Sequence, residues 1–417
     1  MLVLGPAPVR DPSTSATNWL DAPHNRWAAW HTRELCPTQR IAAGLPQPLR
    51  GAAEVPDLGA VPVTRGSGET GTVGGVLADS FTDAFLVLKD GALVSEAYAT
   101  GGGPSRRHAV LSVTKSVVGA VAGVLVDRGV LDDRAPVTRY VPELAAYDGA
   151  TVRHLLDMRS GVRFVEDYED PDGDIHRLDR WIAGDDHEPA RGLYEFLTTL
   201  EAERDHGGAF RYRSAETDAL GWVCERAAGV RMADLVSELV WGPMGAEHDA
   251  DLICDAVGTG IHDGGLCATA RDLARFGQLM LTGGVAADGT QVVPGRWVKQ
   301  GWAVDADVRQ AFLDSPAEVS FPGGWYRNQL WFHPGSHGDV LLCLGIHGQL
   351  LHVSRRTGTV CVKLSSWPRA QDPGLMRDTL RACEAVGGAL AHRESTGDVH
   401  RLPGVVAGVR RRGGSIV

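Results

Sequence analysis

The chain has 417 residues, 43% of them hydrophobic and 22% charged, with a formal charge of −11. That length suits one large or two ordinary globular domains, and the acidic balance excludes a nucleic-acid or anionic-membrane surface as the leading reading. The seven cysteines are odd in number, scattered and never spaced C-x-x-C, which points to free thiols and a cytoplasmic protein.

Met1-Leu2-Val3-Leu4-Gly5-Pro6 has neither a basic start nor a long apolar run, so no secretory leader is expected, and no stretch is long enough to span a bilayer. No H-E-x-x-H occurs and the 15 histidines do not cluster with cysteines, so no metal or other cofactor is expected. Residues 1–16 are rich in Pro, Ser and Thr and read as loose. Asn18 to Ile41 carries Trp19, Trp27 and Trp30 among charges and reads as ordered and partly helical. Residues 51–78, full of Gly and small side chains, read as irregular. Ala84–Leu88, the turn Lys89-Asp90-Gly91 and Ala92–Tyr98 predict a β-hairpin.

The next stretch, Arg107 to Gly129, organises the rest. Val117 to Val126 is almost wholly apolar and stops at Asp127-Arg128-Gly129, which predicts a buried helix with a glycine stop. Ser112 stands at its first turn, and Lys115, three residues on, shares its face. The helix start adds partial positive charge and free N–H groups beside the hydroxyl.

Thr151–Gly161 predicts a short capped helix. The segment 164–174 holds six acidic residues: Glu166, Asp167, Glu169, Asp170, Asp172 and Asp174. It reads either as a solvated loop or as a flap that holds the amine end of a substrate. Helical periodicity follows over 193–200, 217–228, 232–240 and 269–281. Strand patterns then cover 328–332, 340–344, 350–354 and 359–364, joined by short turns and hence antiparallel. A last helix spans about 374–391. Strands thus flank a helical middle, which predicts an α+β fold: an antiparallel sheet covered by helices, with an inserted mostly helical subdomain. One domain over 18–392 is expected, with an α/β part at 18–140 and 270–392 and a helical part at 141–269. Residues 393–417, with Arg410-Arg411-Arg412, read as a flexible solvated tail.

A serine hydroxyl needs a base. A lysine with its usual pKa of about 10.4 is protonated at neutral pH, so Lys115 either loses its proton through burial or stays charged and tunes a tyrosine. Of seven tyrosines, Tyr212 stands out, because Tyr212-Arg213-Ser214 lies at the entrance of an apolar helix. Ser214 could hydrogen-bond substrate or the Lys115 ammonium.

Ser112-x-x-Lys115 followed by Tyr212-x-Ser214 resembles the serine β-lactamase and penicillin-binding-protein superfamily, in its class C and carboxylesterase branch. Several strings resemble the 6-aminohexanoate-dimer hydrolase group: Pro23-His24-Asn25-Arg26-Trp27, Phe164-x-Glu166-Asp167-Tyr168-x-Asp170-Pro171, the stretch from Gly264-Gly265-Leu266-Cys267 to Gly277, and Gly345-Ile346-His347-Gly348-Gln349. The similarity runs over roughly 18–390 and implies a β-lactamase-like fold. It also implies an oxyanion hole from the Ser112 and Ile346 N–H groups, with Tyr168 against substrate, Asp179 a weaker candidate for that role, and Cys267 facing the cleft, although the default reading of Cys267 is a buried free thiol. His347 reads as a structural hydrogen-bonder near substrate. The superfamily's usual Lys-Thr-Gly is missing, and Arg356-Thr357-Gly358 reads as a hairpin turn instead.

The expected activity is hydrolysis of small esters or short amides through an acyl-enzyme on Ser112. The alternatives are a β-lactamase or D,D-peptidase and, in another class, an inactive binding or sensor protein. The expected partner is a small-molecule ester or amide, with a homodimer left open.

Overall fold

The computed structural model describes residues 2, 4–5, 8–53, 56–184 and 191–397. Seven antiparallel strands form the main sheet: β1 (Thr82–Lys89), β2 (Ala92–Tyr98), β3 (Trp325–Arg327), β4 (Leu330–Gly335), β5 (Gly338–Gly345), β6 (Gln349–Ser354) and β7 (Thr359–Ser365). Their order is β2-β1-β7-β6-β5-β4-β3, so the last strand of the chain pairs with the first hairpin. That hairpin turns where Asp90 and Gly91 both take positive φ, the geometry of a two-residue turn that matches strand twist. Arg356-Thr357-Gly358 is indeed the β6–β7 turn.

Helices α1 (Val113–Asp127) and α4 (Ala270–Leu281) pack on one face of the sheet, within the larger apolar core. Helix α5 (Pro373–Gly397) covers the other face with the short helix Val73–Asp79. The middle of the chain contributes α2 (Asp174–Ala183) and α3 (Ser214–Ala228). Helix α1 is buried from Val113 to Leu125 and lies close to its neighbours. A Cβ on Gly119 would sit 2.5 Å from the Asn328 carbonyl, and one on Gly123 2.7 Å from the Trp297 ring.

Several expectations shift. Residues 51–78 contain a hairpin, Pro62–Thr64 with Thr70–Thr72, besides the helix at Val73–Asp79. The helix after Thr151 ends at Leu156, because Met158 takes positive φ. Asp174 opens α2 rather than closing a loop. A second sheet joins Thr38–Ile41, Ala250–Ile253, Leu266–Ala268 and His108–Ala109, so the mostly helical part is stitched back to the N-terminal part by strands. Helix α5 passes the boundary expected at residue 392. The rest of the expected tail, 398–417, and its Arg410–Arg412 run lie outside the described residues. Among the described residues no helix is long and apolar enough to cross a membrane.

Candidate active site

Ser112 precedes α1 with helical backbone angles, and its hydroxyl makes no capping bond to the helix. The hydroxyl instead accepts from Lys115 Nζ at 2.9 Å. Leu111, one residue earlier, is held at φ +48°, a strained conformation for a side-chain-bearing residue. The surroundings impose it. Val110 N–H donates to Leu266 O, Thr114 Oγ1 donates to Leu111 O at 2.6 Å, and Thr114 Oγ1 in turn accepts from Leu266 N–H at 3.0 Å. Strand and helix start are therefore clamped together around Ser112.

Lys115 is buried and fully engaged. Besides Ser112, its ammonium donates to Ser214 Oγ at 3.0 Å, to the Asp263 carbonyl at 2.9 Å and to Asp263 Oδ2 at 3.3 Å. It also lies 5.1 Å from the centre of the Tyr212 ring. Burial pushes its pKa down, but Tyr212, Asp263, Glu166 and Asp218 outweigh that and raise it well above the usual lysine value. Of the two routes left open by the sequence, a charged Lys115 beside a tyrosine is the one this environment favours. The Tyr212 phenol is raised by burial and lowered by the Lys115 charge and by hydrogen bonding to Ser112 and Lys115, with a net upward shift.

Ser214 opens α3, where the helix leaves N–H groups free. The Glu166 carboxylate takes them up: it accepts from Ser214 N–H at 2.6 Å and from Ser214 Oγ at 3.0 Å. Tyr168 OH donates to the same carboxylate at 2.7 Å. The acidic run thus divides. Glu166 binds the start of α3 and Asp174 accepts from Val165 N–H, whereas Asp167, Glu169, Asp170 and Asp172 are exposed. Neither the solvated loop nor the flap describes the whole segment.

A cavity of about 870 Å³ opens above Ser112, lined also by Tyr168, Asp179, Asp263, Ile346 and His347. Asp179, on α2, faces this cleft with half its side chain open to it. Enclosure by the cleft walls, then the Asp263 and Glu166 charges, push its carboxyl up to about 7. Ile346 lines the same cavity as Ser112, directly before His347 at φ +57°. Among the described residues neither the Ser112 nor the Ile346 N–H donates to a loop or turn carbonyl. His347 is fixed by its backbone, since its N–H donates to Ala370 O and its Nδ1–H to Trp367 O at 2.8 Å. Burial lowers its pKa and favours the neutral ring.

Cys267 is the buried free thiol of the default reading, not the cleft-facing residue that the resemblance implied. It is 1% exposed, lies 3.1 Å from Thr32 Oγ1 and does not line the cavity, because its strand turns it into the small core beneath. The sequence reading passed over Asp263, Asp218 and the anchoring role of Glu166. Asp218 Oδ1 accepts from the N–H groups of both His262 and Asp263 at 3.0 Å.

A buried Ser–Lys pair at a helix start, joined by a Tyr-x-Ser entrance and set against an α-helix-covered antiparallel sheet, is the arrangement of penicillin-recognising serine enzymes and their relatives. The family model described as Beta-lactamase matches residues 78–385, and the chain belongs to that family. It is a serine hydrolase by that membership and its relatives. The chain is 39% identical, over 402 residues, to the 6-aminohexanoate-dimer hydrolase of Paenarthrobacter ureafaciens, covering 92% of this chain and 98% of that one. A solved structure from Bacillus anthracis, assigned as a 6-aminohexanoate-dimer hydrolase, superposes with TM-score 0.81 at 25% identity, covering 93% of this chain and 99% of that one. EstCE1, a hydrolase with promiscuous acyltransferase activity, shares the fold with TM-score 0.60 at 18% identity, covering 76% and 97%.

Proposed function

We propose that the protein hydrolyses short amides and esters, 6-aminohexanoate oligomers foremost, through an acyl-enzyme on Ser112. The observation that carries this is the 2.9 Å contact between Lys115 Nζ and Ser112 Oγ on the wall of a cavity large enough for a short oligomer.

All the hydrogens of a lysine ammonium are donors, and Lys115 spends them on four oxygens, so it has no lone pair for the serine proton. Tyr212 takes that part. The resting phenol is protonated; the reactive form is the phenolate held beside the Lys115 cation. Ser112 Oγ bonds to the substrate carbonyl carbon as its proton passes to the Tyr212 oxygen. The carbonyl oxygen becomes anionic between the N–H groups of Ser112 and Ile346, where each donor contributes about 3 kcal/mol in such sites. The carbon–nitrogen or carbon–oxygen bond then breaks, and the Tyr212 proton goes to the leaving group. Water repeats the sequence against the acyl-enzyme, gives its proton to Tyr212 and restores Ser112.

Asp179 and Tyr168 line the substrate's path, and the carboxylate of Asp179 suits a terminal ammonium. Its raised pKa ties that binding to pH. The Paenarthrobacter relative supports the choice of substrate.

The test is a panel of p-nitrophenyl acetate and butyrate, 6-aminohexanoate dimer and trimer, nitrocefin, and D-amino-acid peptides. Turnover of the esters and oligomers, abolished in Ser112→Ala, is the expected result. Turnover confined to nitrocefin or to D-amino-acid peptides overturns the substrate assignment.

A further inference from the structure

Among the described residues the ammonium of Lys115 has one carboxylate oxygen within hydrogen-bond reach, Asp263 Oδ2 at 3.3 Å; the Asp263 carbonyl adds a second bond from the same residue. Asp263 is not placed there by chance of a flexible side chain. Its N–H and that of His262 both donate to Asp218 Oδ1, which fastens the 262–263 backbone to α3, the helix that also carries Ser214. His262 is anchored in turn by Tyr194 OH, 2.9 Å from Nε2, and Tyr194 donates to Glu225 of the same helix. One helix therefore sets both the Ser214 hydroxyl and the Asp263 carboxylate against Lys115. Asp263 also lines the substrate cavity.

We propose that Asp263 is the counter-ion of Lys115, a positioning residue that keeps the ammonium charged and aimed at Ser112 and so sets the pH range in which Tyr212 can act as base. This rests on the Ser112–Lys115–Tyr212 reading above. The groups facing Lys115 are Tyr212 and Ser214 at the entrance of α3, Asp218 one turn further on, Glu166 from the acidic segment and Asp263 from the loop before Leu266–Ala268. They do not act alike. Asp218 spends its Oδ1 on the N–H groups of His262 and Asp263, and burial, then the Asp263 charge, push its carboxyl well up. Glu166 is spent on the start of α3 and on Tyr168. Asp263 is thus the carboxylate whose charge Lys115 meets directly.

Removing that charge without changing shape has a signed consequence. In Asp263→Asn the carbonyl bond to Lys115 survives, but the anion is gone. Lys115 gives up its proton at lower pH, so the alkaline limb of the rate profile moves acidward. The unneutralised ammonium also stabilises the Tyr212 phenolate more strongly, so the acid limb moves the same way. A neighbouring charge of this kind shifts a titration by about 1 to 3 pH units.

The experiment is the pH profile of kcat and kcat/KM for p-nitrophenyl butyrate with the wild type, Asp263→Asn and Asp263→Glu. Fluorophosphonate labelling of Ser112 and a thermal melt are run on each. The expected result is a displacement of both limbs toward acid by about 1 pH unit or more in Asp263→Asn, with Asp263→Glu returning toward wild type. A fall in rate at every pH with both limbs unmoved overturns the counter-ion role and leaves Asp263 purely structural. A melting point lowered in Asp263→Asn is read through Asp263→Glu: if that variant melts normally yet has displaced limbs, the proposal also falls. Absence of label on wild-type Ser112 instead defeats the underlying catalytic reading, so the two failures are told apart.

Discussion

Two of the chain's four lysines are buried, one on each side of the architecture, and their charge states are pushed in opposite directions. Lys115 lies on α1 among Asp263, Glu166, Asp218 and Tyr212, and is raised above its usual pKa. Lys363 lies on β7, donating to Ser80 O at 3.1 Å and to Ser365 Oγ. Burial drives it down to about 7, opposed only by Asp83 and Cys383. Asp83 is itself shared with His108 at 3.4 Å and Arg26 at 3.8 Å. In both lysines burial works against the charged form. The number and commitment of the carboxylates around each decides whether the proton stays.

The largest effect expected from breaking this contrast is at the nucleophile. Ser112→Ala should lower kcat by about 10⁴-fold or more while the protein folds normally, measured with p-nitrophenyl butyrate and circular dichroism. Tyr212→Phe should follow closely. Lys115→Met removes the cation from its carboxylates, so it should abolish turnover and also cost about 3 to 5 kcal/mol of stability in urea unfolding, because a buried carboxylate is left uncompensated.

Lys363→Met should act the other way. The unfolded lysine titrates near 10.5 and the folded one near 7. Between these values the unfolded chain binds more protons, so wild-type stability climbs with pH across that window and is lowest below it. Lys363→Met should flatten that slope, read as the urea midpoint from pH 6 to 10, and should gain on the wild type most below pH 7. An unchanged slope would show that Lys363 is charged in the fold.

The smallest effect is at the rim of the cleft. Because Asp179 is pushed up to about 7, its carboxylate forms as pH rises through that value. KM for 6-aminohexanoate dimer should fall over the same range, and Asp179→Asn should raise KM about 2- to 5-fold above pH 7 and erase the pH dependence.

Much of this was legible in the residues alone, for physical reasons. The β1–β2 hairpin announced itself through Asp90-Gly91 between apolar runs, α4 through its helical periodicity over 269–281, and the nucleophile helix through an uninterrupted apolar stretch behind Ser112. The second sheet did not, since strands of two to four residues such as His108–Ala109 and Leu266–Ala268 are too short to display alternation. Helix α2 was masked by the acidic run that precedes it, although Ile175, Leu178 and Trp181 mark its buried side. Glu166 looked like one more solvated carboxylate, because nothing local distinguishes it from Asp167; only the arrival of Ser214, 48 residues later, gives it a partner. Asp263 was missed for the same reason, its partner Lys115 lying 148 residues away. Cys267 misled through its place in a recognisable string, which fixes the strand but not the direction of its side chain.

The central claim is that Ser112 carries the acyl group, and rapid quenching with p-nitrophenyl butyrate followed by peptide mass spectrometry tests it most directly. The account predicts a butyryl adduct on Ser112 that forms with a burst of nitrophenol and is absent in Ser112→Ala. Turnover without a burst, or an adduct on any other residue, would contradict it.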